Sequence, residues 1–176
     1  MERKRKKTRR LAISAILSAL GVVILYLGAL VEVLDVSAAA IASLLCVLAV
    51  LEMGGAWPWL IYFVVTILSL VLLPVKSAAF LFALFLGYYP ILKAYCERLR
   101  PLASWVLKMV SFNAALAVML LLSHLFLPDT EWTGPWYYVV LYLFGNVVFV
   151  LYDVALTRLI STYLRRLRGR FGIKNW

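Results

Sequence analysis

Charged side chains are scarce within the long apolar stretches of this sequence, so each one is a candidate for chemistry. Asp153 lies in such a stretch, where an isolated carboxylate is costly and is expected to find a cationic partner. Lys93 and Lys108 lie at comparable depth in neighbouring stretches, and Arg158 follows Asp153 along the chain. The pattern favours a structural ion pair drawn from Asp153, Lys93 and Lys108, with a proton relay through Asp153 as the alternative.

Several aromatic and polar side chains in or beside these stretches could bind an organic ligand. Tyrosine offers a flat ring and a hydroxyl, an asparagine amide donates and accepts hydrogen bonds, and histidine or lysine can meet an acidic group. The candidate ligand-binding residues are Tyr88, Tyr89, Asn113, His124, Asn146, Lys76 and Trp132. Pro90 follows the two tyrosines and is expected to kink their helix.

Most of these candidates also have a structural interpretation. The two tyrosines equally suit the core of a helix bundle, and the two asparagines equally suit a hydrogen bond between helices. His124 alone makes a poor metal site and suits an interfacial position. Lys76 equally suits an ion pair with Glu32 or Asp35. The residue types alone leave these alternatives open.

Motifs of common catalytic and nucleotide-binding sites are absent from the sequence. It contains no phosphate loop ending in Gly-Lys-Ser/Thr, no His-Glu-x-x-His and no Gly-x-Ser-x-Gly. Cys46 and Cys96 lie in or at the end of apolar stretches and indicate neither a disulfide framework nor a metal site. We therefore expect no catalytic site, no metal and no cofactor. Any active transport would need an ATPase on another subunit.

The elements that position these residues follow from the hydropathy. The chain of 176 residues is 65% hydrophobic, with a mean hydropathy of +0.97, whereas about 45–50% apolar residues is typical of soluble domains. Proline, glycine and charged residues divide it into six segments of about the length of a membrane-spanning helix: 11–33, 36–53, 57–73, 77–95, 103–127 and 136–163. The sequence therefore predicts an all-α integral membrane protein. Its six-helix transmembrane domain, 11–164, lies between a basic N-terminal segment, 1–10, and a basic tail, 165–176.

The positions of the basic residues indicate the orientation of the helices. Of the 18 lysines and arginines, all but Lys76 fall on one side of a six-span arrangement, and basic residues favour the cytoplasmic side. Both termini are therefore expected in the cytoplasm, beside anionic lipid head groups. Because the net charge of +10 is concentrated next to apolar segments, we expect contacts with the lipid bilayer and none with nucleic acid.

Small residues recur along the first helix. Ala12, Ala15 and Ala19, here called the alanine face, lie on one side, and Ser14 and Ser18 lie on an adjoining side. Small residues let helix backbones approach closely in lipid, where packing drives association. The alanine face is a candidate docking surface for a partner helix. Packing inside the protein's own bundle is the alternative.

The stretch from Arg9 to Gly21, RRLAISAILSALG, resembles the start of S components, the substrate-binding membrane subunits of energy-coupling factor (ECF) vitamin transporters. Ala15 and Ala19 fit the Ala-x-x-x-Ala motif of that family. The resemblance implies a six-helix protein of the bacterial cytoplasmic membrane that binds a vitamin or related micronutrient from the outer face. It also implies that the motif contacts a coupling subunit, which works with two ATPase subunits.

Two other functions fit the same sequence. The first is a structural scaffold of the bacterial rod-shape cell-wall machinery, whose small multi-span proteins are similar in length and act by contacting other membrane proteins. The second is a membrane enzyme or lipid-handling protein that uses Asp153, His124 or the tyrosines. The second is disfavoured because His124 is predicted near the outer side and Asp153 near the inner side, whereas a shared site needs one depth.

Overall fold

The computed structural model describes residues 2–126 and 135–167, and every regular element in those ranges is helical. The six main helices are α1 (Glu2–Ala29), α2 (Asp35–Glu52), α3 (Trp57–Leu72), α4 (Ser77–Cys96), α5 (Pro101–Phe126) and α6 (Pro135–Thr162). A 3₁₀ turn, Glu32–Leu34, precedes α2, and a π-helical turn, Tyr163–Leu167, follows α6. The prediction of an all-α chain is confirmed.

Within residues 2–126 and 135–167, five helices are long and apolar enough to cross a membrane, which fits a multi-pass membrane protein. The five apolar stretches are Lys7–Ala29, Asp35–Glu52, Ser77–Cys96, Pro101–Leu122 and Val139–Arg165. The remaining main helix, α3, is apolar but has only 16 residues. Length and composition therefore support five membrane spans directly, and α3 is a sixth candidate.

Helix α1 continues without a break from the basic residues into the apolar segment. The structure begins α1 at Glu2, whereas the hydropathy predicts a membrane helix from Leu11. Lysine and arginine are good helix formers, and neither glycine nor proline occurs in the chain before Gly21. The basic residues therefore lie on the same continuous helix as the apolar segment.

The chain divides into two compact units at the junction between Arg100 and Pro101. The first unit contains α1 to α4, and the second contains α5 and α6. Pro101 suits the start of α5 because the first residue of a helix needs no hydrogen-bonded N–H. Each unit has its own internal packing.

Helix α2 lies at the centre of the first unit, where it contacts α1, α3 and α4. Most of its buried positions hold small side chains, including Ala38, Ala39, Ala42, Ser43, Cys46 and Ala49. Such side chains let neighbouring helices approach closely, which favours association in lipid. The chain then turns into α3 through Gly54 and Gly55, whose φ angles of 60° and 61° favour glycine because it has no Cβ.

Helix α1 packs on α2 and α3 through one side. Its buried residues are Ser14, Ser18, Gly21, Leu25, Gly28 and Ala29. Gly28 lies so close to α2 that an added Cβ would come within 2.2 Å of the Ala38 Cβ. The alanine face lies beside this packed side and is exposed.

In the second unit, α5 and α6 run antiparallel. Contacts pair rising residue numbers in α5 with falling numbers in α6: Lys108 contacts Asp153, and Phe112 contacts Phe149. The two phenylalanine rings are stacked, with centroids 4.5 Å apart. A charged contact and an aromatic contact therefore follow one another along this helix pair.

Candidate functional site

Helix α4 is interrupted in its middle. It comprises an α-helical part (Ser77–Leu81), a π-helical part (Phe82–Leu86) and a second α-helical part (Tyr89–Cys96). The sequence predicts a kink at Pro90, but the irregular backbone begins before that residue, in the π-helical part. Pro90 itself stands in the first turn of the second α-helical part, where its missing N–H is tolerated. Single π-helical turns inside α-helices are frequent at functional sites.

A tyrosine of α3 contributes a hydrogen bond to this interruption. In the π-helical part the Gly87 N–H donates to the Phe82 carbonyl, five residues back, at 2.7 Å. The hydroxyl of Tyr62 donates to the Ala83 carbonyl at 2.8 Å. In an apolar environment, irregular backbone is tolerated only where other groups satisfy it. Tyr62 is not among the candidate ligand-binding residues given above. The sequence feature that points to it is a hydroxyl-bearing side chain in the apolar segment that precedes the segment containing Pro90.

Tyr88 and Tyr89 lie at this interruption but in different surroundings. Tyr89 is fully buried, and its ring centroid lies 5.1 Å from that of Phe85. Tyr88 is half-buried, and its ring stands edge-on to that of Tyr62 with centroids 6.4 Å apart. The surroundings of Tyr89 match the core interpretation. Tyr88 and Tyr62 present partly open aromatic surface.

Asn113 and Asn146 form a closed pair between α5 and α6. Each amide nitrogen donates to the other residue's amide oxygen, at 3.4 Å from Asn113 and 3.3 Å from Asn146. Each also donates to the carbonyl four residues earlier in its own helix, Met109 at 2.8 Å and Tyr142 at 2.9 Å. Both hydrogens of each amide are therefore engaged within the helix pair, which matches the interhelical interpretation.

The structure brings together two of the three residues predicted for an ion pair. Lys108 Nζ lies 3.3 Å from a carboxylate oxygen of Asp153, and the two residues are only 6% and 5% exposed. Lys93 is also buried, but its ammonium lies 3.4 Å from Glu97, four residues later in α4. A partner of opposite charge at such distances offsets part of the cost of burying either group.

The remaining polar candidates do not form one common cluster among the described residues. The ammonium of Lys76 donates to the Leu73 carbonyl at the end of α3 and, at 3.4 Å, to that of Val71. Asp35, one of the ion-pair partners suggested for Lys76, instead accepts a hydrogen bond from the Ser77 hydroxyl. The side chains of Glu32 and His124, and the whole of Trp132, lie outside the described part of the chain.

A small cavity of about 60 Å³ lies in the first unit between the α2–α3 turn and the end of α4. Its lining includes Gly54, Pro58, Ile91, Tyr95 and Arg98. The guanidinium of Arg98 lies over the Tyr95 ring, 5.7 Å from its centroid.

The predicted docking residues lie on the open side of α1. Ala12, Ala15 and Ala19 are exposed, and the neighbouring Ile16 is 67% exposed. Ser14 and Ser18, on the adjoining side, are buried against the rest of the first unit. Two rows of small residues on one helix therefore have different surroundings.

Comparison with protein-family models, with curated proteins and with solved structures finds no match for this chain. Support for a function therefore comes from the geometry of the two units and from the sequence pattern.

Proposed function

We propose that this chain is the S component of an energy-coupling factor importer in the bacterial cytoplasmic membrane. In this role it captures a vitamin or related micronutrient from the outer face, without enzymatic activity or a cofactor. The observation that carries the proposal is that the alanine face of α1 is exposed, although the adjoining side of the helix packs within the first unit. The resemblance of residues 9–21 to the start of S components supports the same function.

The packing of α1 supports docking at the alanine face for a physical reason. Small residues favour helix association in lipid because they let two backbones approach, whereas a surface that meets only lipid chains has no need of them. Within the first unit, α1 already uses Gly21 and Gly28 for close contacts with its own neighbours. The alanine face is a second small-residue surface, and a helix of the coupling subunit packs on it in this proposal.

The proposed topology has six spans, with both termini in the cytoplasm. It adds α3 to the five helices that are long enough to cross a membrane. The support for it is the distribution of basic residues, since a five-span arrangement would place one basic terminus outside. Two ATPase subunits on the cytoplasmic side would then supply the energy for import.

The interruption of α4 is the proposed ligand contact in the first unit. Interrupted helices at membrane depth line the substrate sites of many transporters. Tyr88 and Tyr62 present partly open rings beside it, and such rings suit a flat heterocycle. The other candidate ligand contacts remain sequence-based proposals: Lys76, Tyr89, Asn113, His124, Asn146 and Trp132.

The test is an affinity pull-down of the tagged protein in mild detergent from its native membrane. The wild type is compared with Ala15→Leu/Ala19→Leu, which adds bulk to the alanine face. The matched control is Ala114→Leu/Ala117→Leu, which adds the same bulk to exposed positions of α5. We expect a multi-span coupling protein and two ATPases with the wild type and the control, and their loss from the alanine-face variant.

Two outcomes would contradict the proposal. Recovery of cytoskeletal or peptidoglycan-synthesis proteins without any ATPase would favour the cell-wall scaffold instead. Equal recovery of the ATPases with the wild type and with the alanine-face variant would show that the coupling subunit does not dock on the alanine face.

A further inference from the structure

Asp35 is a buried carboxylate with one oxygen satisfied and the other not. It begins α2, and only 7% of the residue is exposed. The hydroxyl of Ser77, the first residue of α4, donates to its Oδ2. The other oxygen, Oδ1, is buried and has no hydrogen-bond partner among the described residues.

The neighbouring cationic side chain does not satisfy this oxygen. Lys76 directly precedes Ser77, but its ammonium donates to the carbonyls of Leu73 and Val71. The position of Asp35 in the first turn of α2 favours negative charge, because the N-terminal end of a helix is the positive end of its dipole. A buried negative group that lacks a partner on one side is unfavourable until a positive group meets it.

We propose that Asp35 and Ser77 bind a monovalent cation, either an inorganic ion or the ammonium group of an organic molecule. The carboxylate supplies the negative charge through Oδ1. The Ser77 hydroxyl donates its proton to Oδ2, so the lone pairs of its oxygen stay available to the cation. Carboxylate and hydroxyl oxygens are hard ligands, and the single negative charge of one carboxylate is balanced by a monovalent cation.

The site joins two helices of the first unit. Asp35 belongs to α2 and Ser77 to α4, and these helices pack against each other. A cation held between them stabilises the folded unit, since anything that binds only the folded state raises its stability. The inference depends on these two residues and is independent of the transport function proposed above.

The test measures the thermal stability of the purified full-length protein in detergent at fixed pH and ionic strength. Choline, a bulky cation without N–H donors, is replaced stepwise by sodium, potassium, lithium, ammonium or methylammonium. We expect a saturable rise in Tm with at least one of these cations. A response to metal ions alone identifies an inorganic ion, whereas a response to methylammonium identifies an organic ammonium group.

Substitutions at Asp35 and Ser77 test whether the stabilising cation binds at these residues. Asp35→Asn is expected to abolish the rise in Tm, and Ser77→Ala is expected to raise the half-saturating cation concentration about tenfold, as for the loss of a charge-assisted contact. Glu131→Gln makes the same change in net charge as Asp35→Asn and is expected to respond as the wild type does. If Asp35→Asn does not fold, the wild-type titration and Ser77→Ala decide the question.

Two results would overturn the proposal. The first is a wild-type Tm that no cation raises, and the second is an Asp35→Asn variant that responds as the wild type does.

Discussion

At the residue scale, the polar side chains of the second unit act in pairs. The amides of Asn113 and Asn146 face each other, and the ammonium of Lys108 faces the carboxylate of Asp153, so each pair joins α5 to α6. In an apolar environment the free-energy cost of burying a polar side chain depends on whether it has a partner, because no water is present to take the partner's place. These side chains therefore contribute to helix association, and replacing one member changes the energy of the other.

Lys108→Met is expected to lower the free energy of unfolding by about 3–5 kcal/mol, because Asp153 would become a buried carboxylate without its ammonium partner. The double variant Lys108→Met/Asp153→Leu is expected to recover most of that loss, since no buried charge remains. The measurement is reversible unfolding in mixed micelles containing dodecyl sulfate. Lys7→Met, at an exposed lysine, controls for the change in net charge. Equal losses in the single and double variants would count against the pairing.

The sequence identifies Asp153 as a residue that needs a cation but cannot choose its partner. The sequence predicts similar depths for Lys93 and Lys108, and the choice depends on which helices pack together and how each is rotated about its axis. The i and i+4 spacing of Lys93 and Glu97 is the one local signal, since such residues are neighbours on a helix. The sequence alone does not predict the hydrogen bond of Tyr62, because its acceptor, the Ala83 carbonyl, belongs to another helix.

At the scale of helices, α1 combines a packed side and an open side. The packed side depends on glycine where α1 crosses α2, because the Ala38 Cβ occupies the space into which a side chain at position 28 would extend. The neighbouring atom is a Cβ fixed to the backbone of α2, so it cannot move aside by a change of rotamer. Any added volume there must separate the two helices.

Gly28→Ala is expected to lower the free energy of unfolding by about 1–3 kcal/mol, because the helices must move apart to admit the methyl group. Gly145→Ala in α6 is the matched control, since its added Cβ would lie 3.4 Å from a flexible Leu116 methyl group. The control is expected to be neutral or stabilising by up to about 1 kcal/mol, as alanine is the better helix former. Both values come from the same micelle unfolding assay. A Gly28→Ala protein as stable as the wild type would contradict the close approach.

Hydropathy predicts where apolar helices lie, but it does not predict their ends or interruptions. Most residues that face lipid or the protein interior are apolar, so the segments stand out in the sequence. The start of α1 at Glu2 depends on helix propensity among charged residues, which hydropathy ignores. The π-helical part of α4 depends on hydrogen bonds from Gly87 and Tyr62, and Pro90 alone does not reveal them.

At the scale of the whole molecule, the link between the two units provides a test of topology. Glu97, Arg98, Leu99 and Arg100 are all exposed. In the proposed six-span arrangement this link lies on the cytoplasmic side with both termini. A protease that reaches only one face of the membrane therefore distinguishes this arrangement from one with the link outside.

Trypsin is expected to cut after Arg98 in inside-out membrane vesicles and to leave this bond intact in right-side-out vesicles. The cut separates the two units, and mass spectrometry of the membrane-bound fragments detects it, because trypsin on this side would also remove tags from the basic termini. Arg98→Gln is the control, because the same fragments should disappear; Arg100 precedes proline and is a poor trypsin site. Cleavage in right-side-out vesicles would place the link outside and exclude the proposed topology.

The shortness of α3 affects how the protein fits the bilayer. Its 16 residues span roughly 24 Å, whereas the hydrocarbon core of a bilayer is about 30 Å thick. A span that is too short thins the surrounding bilayer, at a cost of fractions of a kcal/mol for each ångström of mismatch. With α3 as a sixth span, lipid beside it would be compressed while lipid beside the longer α1 would not. The protein would then favour membranes with shorter acyl chains, and the lipid composition of the cell would influence its stability.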